Sequence, residues 1–285
     1  MTVPDIRIVA MEDGGQPGLP TVLMGPSLGT SVSNLWGPVA ARLRGRARVL
    51  GWELPGHGGR PAAVGGFTIS ELAQGIVSAL DGIPEPDGGK NVEHSFIYAG
   101  CSAGGCVGQQ LLLDHPDRVR AAVLVATAQR VGTPEGWRER AELVATAGTP
   151  TQVIGSAKRW FAEGFISRDA QAGTGITTAL LHDLQEADRH GYAQVCEALA
   201  RFDVRGRLGS VGVPVTVLGG AQDVSTTPED LQELAAAIPG ARRVEYDGVA
   251  HLPPAEVPGE VAGEIAAIID TVSSSAAEIQ EGDLR

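Results

Sequence analysis

The chain has 285 residues, enough for two domains by the rough rule of ~150 residues each, or for one alpha/beta domain carrying an insertion. With 34 acidic against 22 basic residues the net charge is −12, which argues against nucleic acid and against a membrane surface as partners. Apolar residues at 43% exclude global disorder, and 39 glycines, twice the usual ~7% and without a collagen-like period, predict many tight turns.

In chain order, IRIVAM (6–11) and TVLMGP (21–26) read as strands, 35–44 as a helix, and ARVLGWE (47–53) as a strand. TISELAQGIVSALDGI (68–83) reads as a helix. Thr68 and Glu71 form a capping box ahead of an apolar face at Leu72, Ile76 and Leu80. Residues 84–94 read as an exposed loop, SFIYAGC (95–101) as a buried strand, 103–115 as a helix and AAVLVAT (121–127) as a strand. Short apolar runs alternating with helices predict an α/β fold, a mostly parallel sheet covered on both faces. From 130 to 205 the strand signal disappears, and helical segments are expected near 135–146, 150–164 and 192–202. Alternation resumes with VPVTVLGG (213–220), a helix at 228–238, RRVEYD (242–247) and a helix at 256–272. The expected organisation is a core in two parts, 1–129 and 206–273, an inserted helical cap at 130–205, and a flexible polar tail at 274–285.

Cys101, Cys106 and Cys196 cannot all pair and form no CxxC motif, so reduced cytosolic thiols are expected. The start MTVPDIRIVA has no basic stretch before an apolar run, and no apolar run approaches the ~18 residues of a membrane span. A cytoplasmic protein follows as the expectation.

Gly100-Cys101-Ser102-Ala103-Gly104 matches G-x-S-x-G with a buried strand running into it and a helix leaving it. That is the context of a nucleophile elbow, where a sharp turn exposes the serine hydroxyl at the edge of the sheet. Asp223 follows the strand 213–220 and His251 follows 242–247, the order serine, acid, base of an alpha/beta-hydrolase triad. The histidine would take the proton from Ser102 while the carboxylate holds its tautomer. Asp203, Asp230 and Asp247 are rival acids, set aside because they fall in the cap, inside a helix, and too near the histidine loop. An oxyanion hole needs two backbone N–H groups; Ala103 and Leu28, in the loop Gly25–Thr30, are expected to supply them. His57, between Gly56 and Gly58, reads as structural. No histidine spacing suits a metal and no dinucleotide or phosphate loop is present, so no cofactor is expected.

These segments resemble the 3-oxoadipate enol-lactone hydrolases of the alpha/beta-hydrolase superfamily. The resemblance rests on SLGTSVSNLW (27–36), LPGHGGRP (54–61), GCSAGG (100–105), HPDRVRAAVLVATAQRVGTPEGWRER (115–140), RWFAEGF (159–165), HGYAQVCEALARFDVR (190–205), GGAQDVSTTP (219–228) and AIPGARRVEYDGVAHLPPAEVP (237–258). The cap segments AQRVGTPEGWRER, RWF and GYAQVCEAL are the more diagnostic, since caps vary most among hydrolases. Three departures stand out: Glu53 where the family shows Asp, Pro26 before the oxyanion loop, and Gly59-Arg60 after the G-H-G turn. The resemblance implies hydrolysis of 3-oxoadipate enol-lactone through an acyl-enzyme, a late step in aromatic catabolism. A broad carboxylesterase or cofactor-free perhydrolase on the same triad, and a ligand receptor with a hydrolase fold, remain the alternatives. The implied substrate is a small anionic lactone. Residues 130–160 hold five basic side chains against three acidic ones, so a cap arginine is expected to clamp its carboxylate. Arg130 is the first candidate, followed by Arg138, Arg140 and Arg159; Ser27, Trp137 and Trp160 are expected to complete the substrate contacts.

Overall fold

Short runs of β-branched and apolar residues form a seven-stranded sheet in the computed structural model, which describes residues 2–12, 18–83 and 95–282, with side chains as far as residue 274. The loop expected at 84–94 lies outside the described residues. The strands are β1 (Ile8–Glu12), β2 (Thr21–Gly25), β3 (Arg48–Trp52), β4 (Phe96–Cys101), β5 (Val119–Val125), β6 (Val215–Gly220) and β7 (Arg242–Tyr246). Their order is β1-β3-β2-β4-β5-β6-β7, antiparallel only at β1. The central strands β4 and β6 are buried at every position, as continuous apolar runs covered on both faces must be.

Three helices connect the first half of the sheet: α1 (Val32–Ala40), α2 (Ile69–Asp81) and α3 (Ala103–Asp114). The capping box of α2 is present, with Thr68 Oγ1 accepting from Glu71 N and Glu71 accepting from Thr68 N. Helix α1 begins at its Ser31 cap, earlier than the helix read from 35, because the Ser31 side chain accepts from Asn34 N. From β2 the chain crosses outward to β3, whereas from β4 onward it moves the other way, so right-handed crossovers place α1 on one face and α2 and α3 on the other. Between β2 and β4 the direction of winding reverses, and the C-terminal ends of these strands, Gly25 and Gly100, lie in register. Open α/β sheets bind ligands at such a switch point.

Between β5 and β6 the chain is helical: α4 (Pro134–Ala147), α5 (Val153–Trp160), α6 (Phe165–Ala172), α7 (Ile176–Glu186) and α8 (Arg189–Leu199). Two of these, α6 and α7, fall where sequence reading expected polar breaks. They are short, and Gly164, Gly173 and Gly175 around them take left-handed backbone that interrupts the periodic signal. The helices are fastened to the core by specific contacts. Asp183 of α7 accepts from the backbone and hydroxyl of Ser31 (2.9 and 2.7 Å) and from Asn34 Nδ2 (2.9 Å). Gly191 of α8 lies so close to Gly56 that a Cβ on either would fall within 2.6 Å of the other's Cα. The chain then forms α9 (Pro228–Ala237), α10 (Pro253–Glu256) and α11 (Pro258–Gly282). Helix α11 packs on α1 and continues past residue 272, so the tail expected from 274 begins as helix; Ala276, Ala277 and the residues to Glu281 include good helix formers. No helix among the described residues is long and apolar enough to cross a membrane.

Candidate active site

Strand β4 ends at Cys101 and α3 begins at Ala103, which leaves Ser102 alone in the turn with φ 55° and ψ −112°. A positive φ on a side chain other than glycine is strained, and the surroundings hold it. Ser102 N donates to Val125 O, while Ser102 O accepts from Cys106 N and from Thr127 Oγ1. The glycines of the motif are required by space: a Cβ at Gly100 would sit 2.4 Å from the Gly104 carbonyl oxygen, and one at Gly104 would sit 2.7 Å from those of Gly25 and Pro26. Tyr98 supports the turn from below, its buried hydroxyl donating to Gly104 O at 2.7 Å.

The loop after β2 is a tight turn. Thr30 N donates to Ser27 O (3.1 Å), Thr30 Oγ1 bonds the backbone of Ser27 on both sides, and Gly29 takes the φ of 90° that the third position of such a turn demands. Pro26, one of the departures from the family pattern, gives its carbonyl to Gly104 N at 2.9 Å, tying this loop to the elbow. Ala103 is the first residue of α3, where an N–H has no intrahelical acceptor, and Leu28 lines the cavity beside Ser102.

The loops after β6 and β7 bring Asp223 and His251 to Ser102. His251 Nε2 lies 2.9 Å from Ser102 Oγ, and His251 Nδ1 lies 2.7 Å from Asp223 Oδ2. Asp223 Oδ1 accepts from Ser225 N (2.7 Å) and Thr226 N (3.1 Å), and Oδ2 also accepts from Thr226 Oγ1 (2.7 Å). A carboxylate on Nδ1 keeps the proton there and leaves Nε2 free to accept from the serine. Burial by itself raises the Asp223 carboxyl; the charge and hydrogen bond of His251, with Thr226 and Ser225, outweigh it and hold the group below the usual carboxylate range. The rival acids are engaged elsewhere or solvated: Asp203 pairs with Arg205, Asp230 caps α9, and Asp247 is exposed. Cys101 donates to His251 O at 3.7 Å, and burial pushes its thiol well up, so it packs under the histidine loop rather than competing as a nucleophile. His57 stacks on Tyr192 with ring centroids 6.0 Å apart and is pushed down to about 4 by burial, a structural place as expected.

A cavity of about 270 Å³ opens over Ser102, just below the ~300–1,000 Å³ usual for ligand sites. Ser27, Leu28, Trp137 and Trp160 line it. Arg130 does not, which corrects the first choice of substrate arginine. Its neighbour Gln129 is hydrogen-bonded to Val204, and the Arg130 charge acts on Asp203 instead. The arginines lining the cavity are Arg140 and Arg159.

Two carboxylates that sequence reading did not place in the site support its walls. Glu256 Oε1 accepts from Ala250 N, next to His251, while Oε2 accepts from Ala162 N in the helical insertion. Glu53 reaches the N-terminus of α1 directly after the turn at 27–30, where both its oxygens accept from Val32 N (3.2 and 3.1 Å). A Cβ at Gly58 would come within 2.5 Å of the Glu53 carboxyl carbon, so the glycine of the G-H-G turn makes room for the longer acid. Burial pushes Glu53 up to about 7; the Val32 N–H opposes this and the charge of Asp183 adds to it. With its folded value above the unfolded one, Glu53 contributes stability that is complete below about pH 4.5 and is lost as pH rises through about 7. Glu53→Gln, which keeps an acceptor for Val32, is therefore expected to flatten the fall in unfolding free energy between about pH 5 and about pH 8, by up to about 3 kcal/mol. Urea unfolding of both proteins across that range checks this, and parallel slopes would contradict it.

The alpha/beta hydrolase family matches residues 22–264. The chain is similar to 3-oxoadipate enol-lactonase 2 of Acinetobacter baylyi, 34% identical over 224 residues that cover 79% of each chain. It is also similar to 3-oxoadipate enol-lactonase 1 of the same organism, 27% identical over 79% of each chain. The solved structure of the enol-lactonase from Burkholderia xenovorans superposes with a TM-score of 0.79 at 31% identity, covering 93% of this chain and 95% of that one.

Proposed function

The chain belongs to the alpha/beta hydrolase family, and from that premise we propose that it opens 3-oxoadipate enol-lactone to 3-oxoadipate through an acyl-enzyme on Ser102. The observation that carries this reading is the continuous hydrogen-bond chain Asp223–His251–Ser102 at the floor of a small cavity. The enol-lactone part is supported by the names of the two Acinetobacter relatives and of the Burkholderia structure. A place late in aromatic catabolism follows from the same resemblance.

Ser102 Oγ attacks the lactone carbonyl as its proton passes to His251 Nε2, and Asp223 stabilises the resulting imidazolium. The N–H groups of Leu28 and Ala103 receive the oxyanion. Collapse of the tetrahedral species breaks the ring C–O bond. The leaving group is an enolate, stabilised by resonance; it becomes the ketone by taking at carbon the proton that His251 Nε2 received from Ser102, which leaves the imidazole neutral for the second half. It stays tethered, because both halves of a lactone belong to one acyl chain. Water, giving a proton to His251 Nε2, then attacks the ester carbonyl; the proton returns to Ser102 Oγ and the second carboxylate is released.

Purified protein assayed on the enol-lactone and on p-nitrophenyl acetate tests the reading. A kcat/KM for the lactone well above that for the acetate is expected. The reverse order would replace it with a broad carboxylesterase on the same three residues.

A further inference from the structure

His251 stands in a loop without regular structure, residues 247–252, between β7 and α10. Such a loop keeps its shape only through what its backbone groups bind. From Val249 to Leu252 the partners alternate between two sides. On the sheet side, Val249 O accepts from Gln222 N (2.8 Å), and His251 O accepts from Cys101 Sγ (3.7 Å). The two amides that flank His251 turn instead to the helices between β5 and β6. Leu252 N donates to Trp160 O (3.2 Å), and Ala250 N donates to Glu256 Oε1 (2.8 Å). Glu256 Oε2 in turn accepts from Ala162 N (2.9 Å), two residues past Trp160.

The piece of chain that receives these bonds is itself well held. Phe161 packs edge-on to Trp160 (6.3 Å between centroids) and stacks on Phe165 (5.8 Å), and Phe165 N donates to Ala162 O (3.0 Å). Glu163 N donates to Gln222 Oε1 (3.1 Å), next to Asp223. The Trp160 ring lines the cavity and abuts the turn at 27–30, since a Cβ at Gly29 would stand 3.3 Å from it. The residue type at 256 suits the bridge. An ionised carboxylate offers two acceptor oxygens and no donor, so it can take two N–H groups at once, whereas an amide could take only one. Pro253 and Pro254 open α10, where a missing N–H costs nothing, and Glu256 N closes the turn on Leu252 O (3.1 Å). That single turn brings the carboxylate back to Ala250.

We infer that Glu256 is a positioning residue for His251. It locks the loop carrying the imidazole to the cavity wall at Trp160, so that the helices between β5 and β6, and not the sheet alone, align the base. The inference rests on the proposed role of His251 as base and goes beyond it, since Glu256 does not line the cavity. Alignment matters because one imidazole must serve Ser102, the leaving group and water in turn. A displacement of about 1 Å can cost about 10²-fold in rate.

The test measures turnover of p-nitrophenyl acetate, which does not depend on the lactone. Glu256→Ala removes both acceptors and is expected to lower kcat by about 10²-fold. Glu256→Gln keeps one of them and is expected to lower kcat by about 10-fold; it carries the test if the alanine variant does not fold. KM is expected to stay within about twofold in both, because the base is displaced and not the binding surface. A second readout needs no turnover: the far-downfield proton NMR resonance of His251 Nδ1–H in its short bond to Asp223. Both Glu256 variants are expected to shift or broaden it. Asp183→Ala, which frees α7 from Ser31 and Asn34 without touching the histidine loop, is expected to leave it in place. An unmoved resonance in the Glu256 variants would overturn the inference and leave Glu256 as a support of the wall. A resonance moved equally by Asp183→Ala would also overturn it, because the effect would then be a general loosening. A wild-type protein that turns over neither ester nor lactone, with a resonance moved only by the Glu256 variants, would keep the positioning of His251 and remove the hydrolase reading.

Discussion

Ser102→Ala is expected to lower kcat by roughly 10⁴- to 10⁶-fold while the protein stays folded, as loss of a triad nucleophile does elsewhere. The structure explains why folding should survive. Every bond that holds the turn uses the backbone of residue 102 or a neighbour: Ser102 N to Val125 O, Cys106 N and Thr127 Oγ1 to Ser102 O, and Gly104 N to Pro26 O. The side chain gives its one hydrogen bond to His251 Nε2, at 2.9 Å. What remains after substitution is the cavity with no hydroxyl beside His251 Nε2. Steady-state turnover, with circular dichroism to confirm the fold, checks this; near-normal turnover would remove Ser102 from the chemistry.

The second large effect is expected at the acid. Asp223→Asn should reduce kcat by about 10⁴-fold, and the hydrogen bonds around the carboxylate dictate the reason. Two backbone donors, Ser225 N and Thr226 N, converge on Oδ1, so that position must remain an oxygen. The new amide nitrogen is then forced into the place of Oδ2, 2.7 Å from His251 Nδ1. It donates where the carboxylate accepted, the imidazole proton moves to Nε2, and Ser102 meets a donor in place of its base. Asp247→Asn, at an exposed turn, is expected to change little. If Asp247→Asn were the damaging substitution and Asp223→Asn the silent one, the acid would lie after β7 and not after β6.

The legible parts of this protein are those where function needs a local pattern. The elbow requires small residues two positions either side of the serine, because the helix leaving it passes against β2 at Gly25 and Pro26. Asp223 and His251 sit three and five residues past the ends of β6 and β7, so a strand signal followed by a lone Asp or His marks them. The capping box of α2 is likewise written in four adjacent residues. Helices α6 and α7 were less visible, since each is short and its boundaries depend on left-handed glycines that look like loop residues in sequence.

The arginines between 130 and 160 show where such reading stops. Counting charge between 130 and 160 detected the basic excess, but a count has no direction. Arg130 follows β5 and acts on Asp203, whereas Arg140 and Arg159, on two different helices, meet across one cavity. Glu53 is similar: as a departure from a family pattern it had no meaning until α1 was seen to begin at its carboxylate. The α/β class, the elbow, and the order of Ser102, Asp223 and His251 are readable along the chain, because they follow from periodicity and from residues close in sequence. Packing in three dimensions settles which charges face the cavity and which carboxylates hold its walls. Those depend on the rotation of each helix about its axis and on contacts between residues such as Ser31 and Asp183, more than a hundred positions apart, that no local pattern encodes.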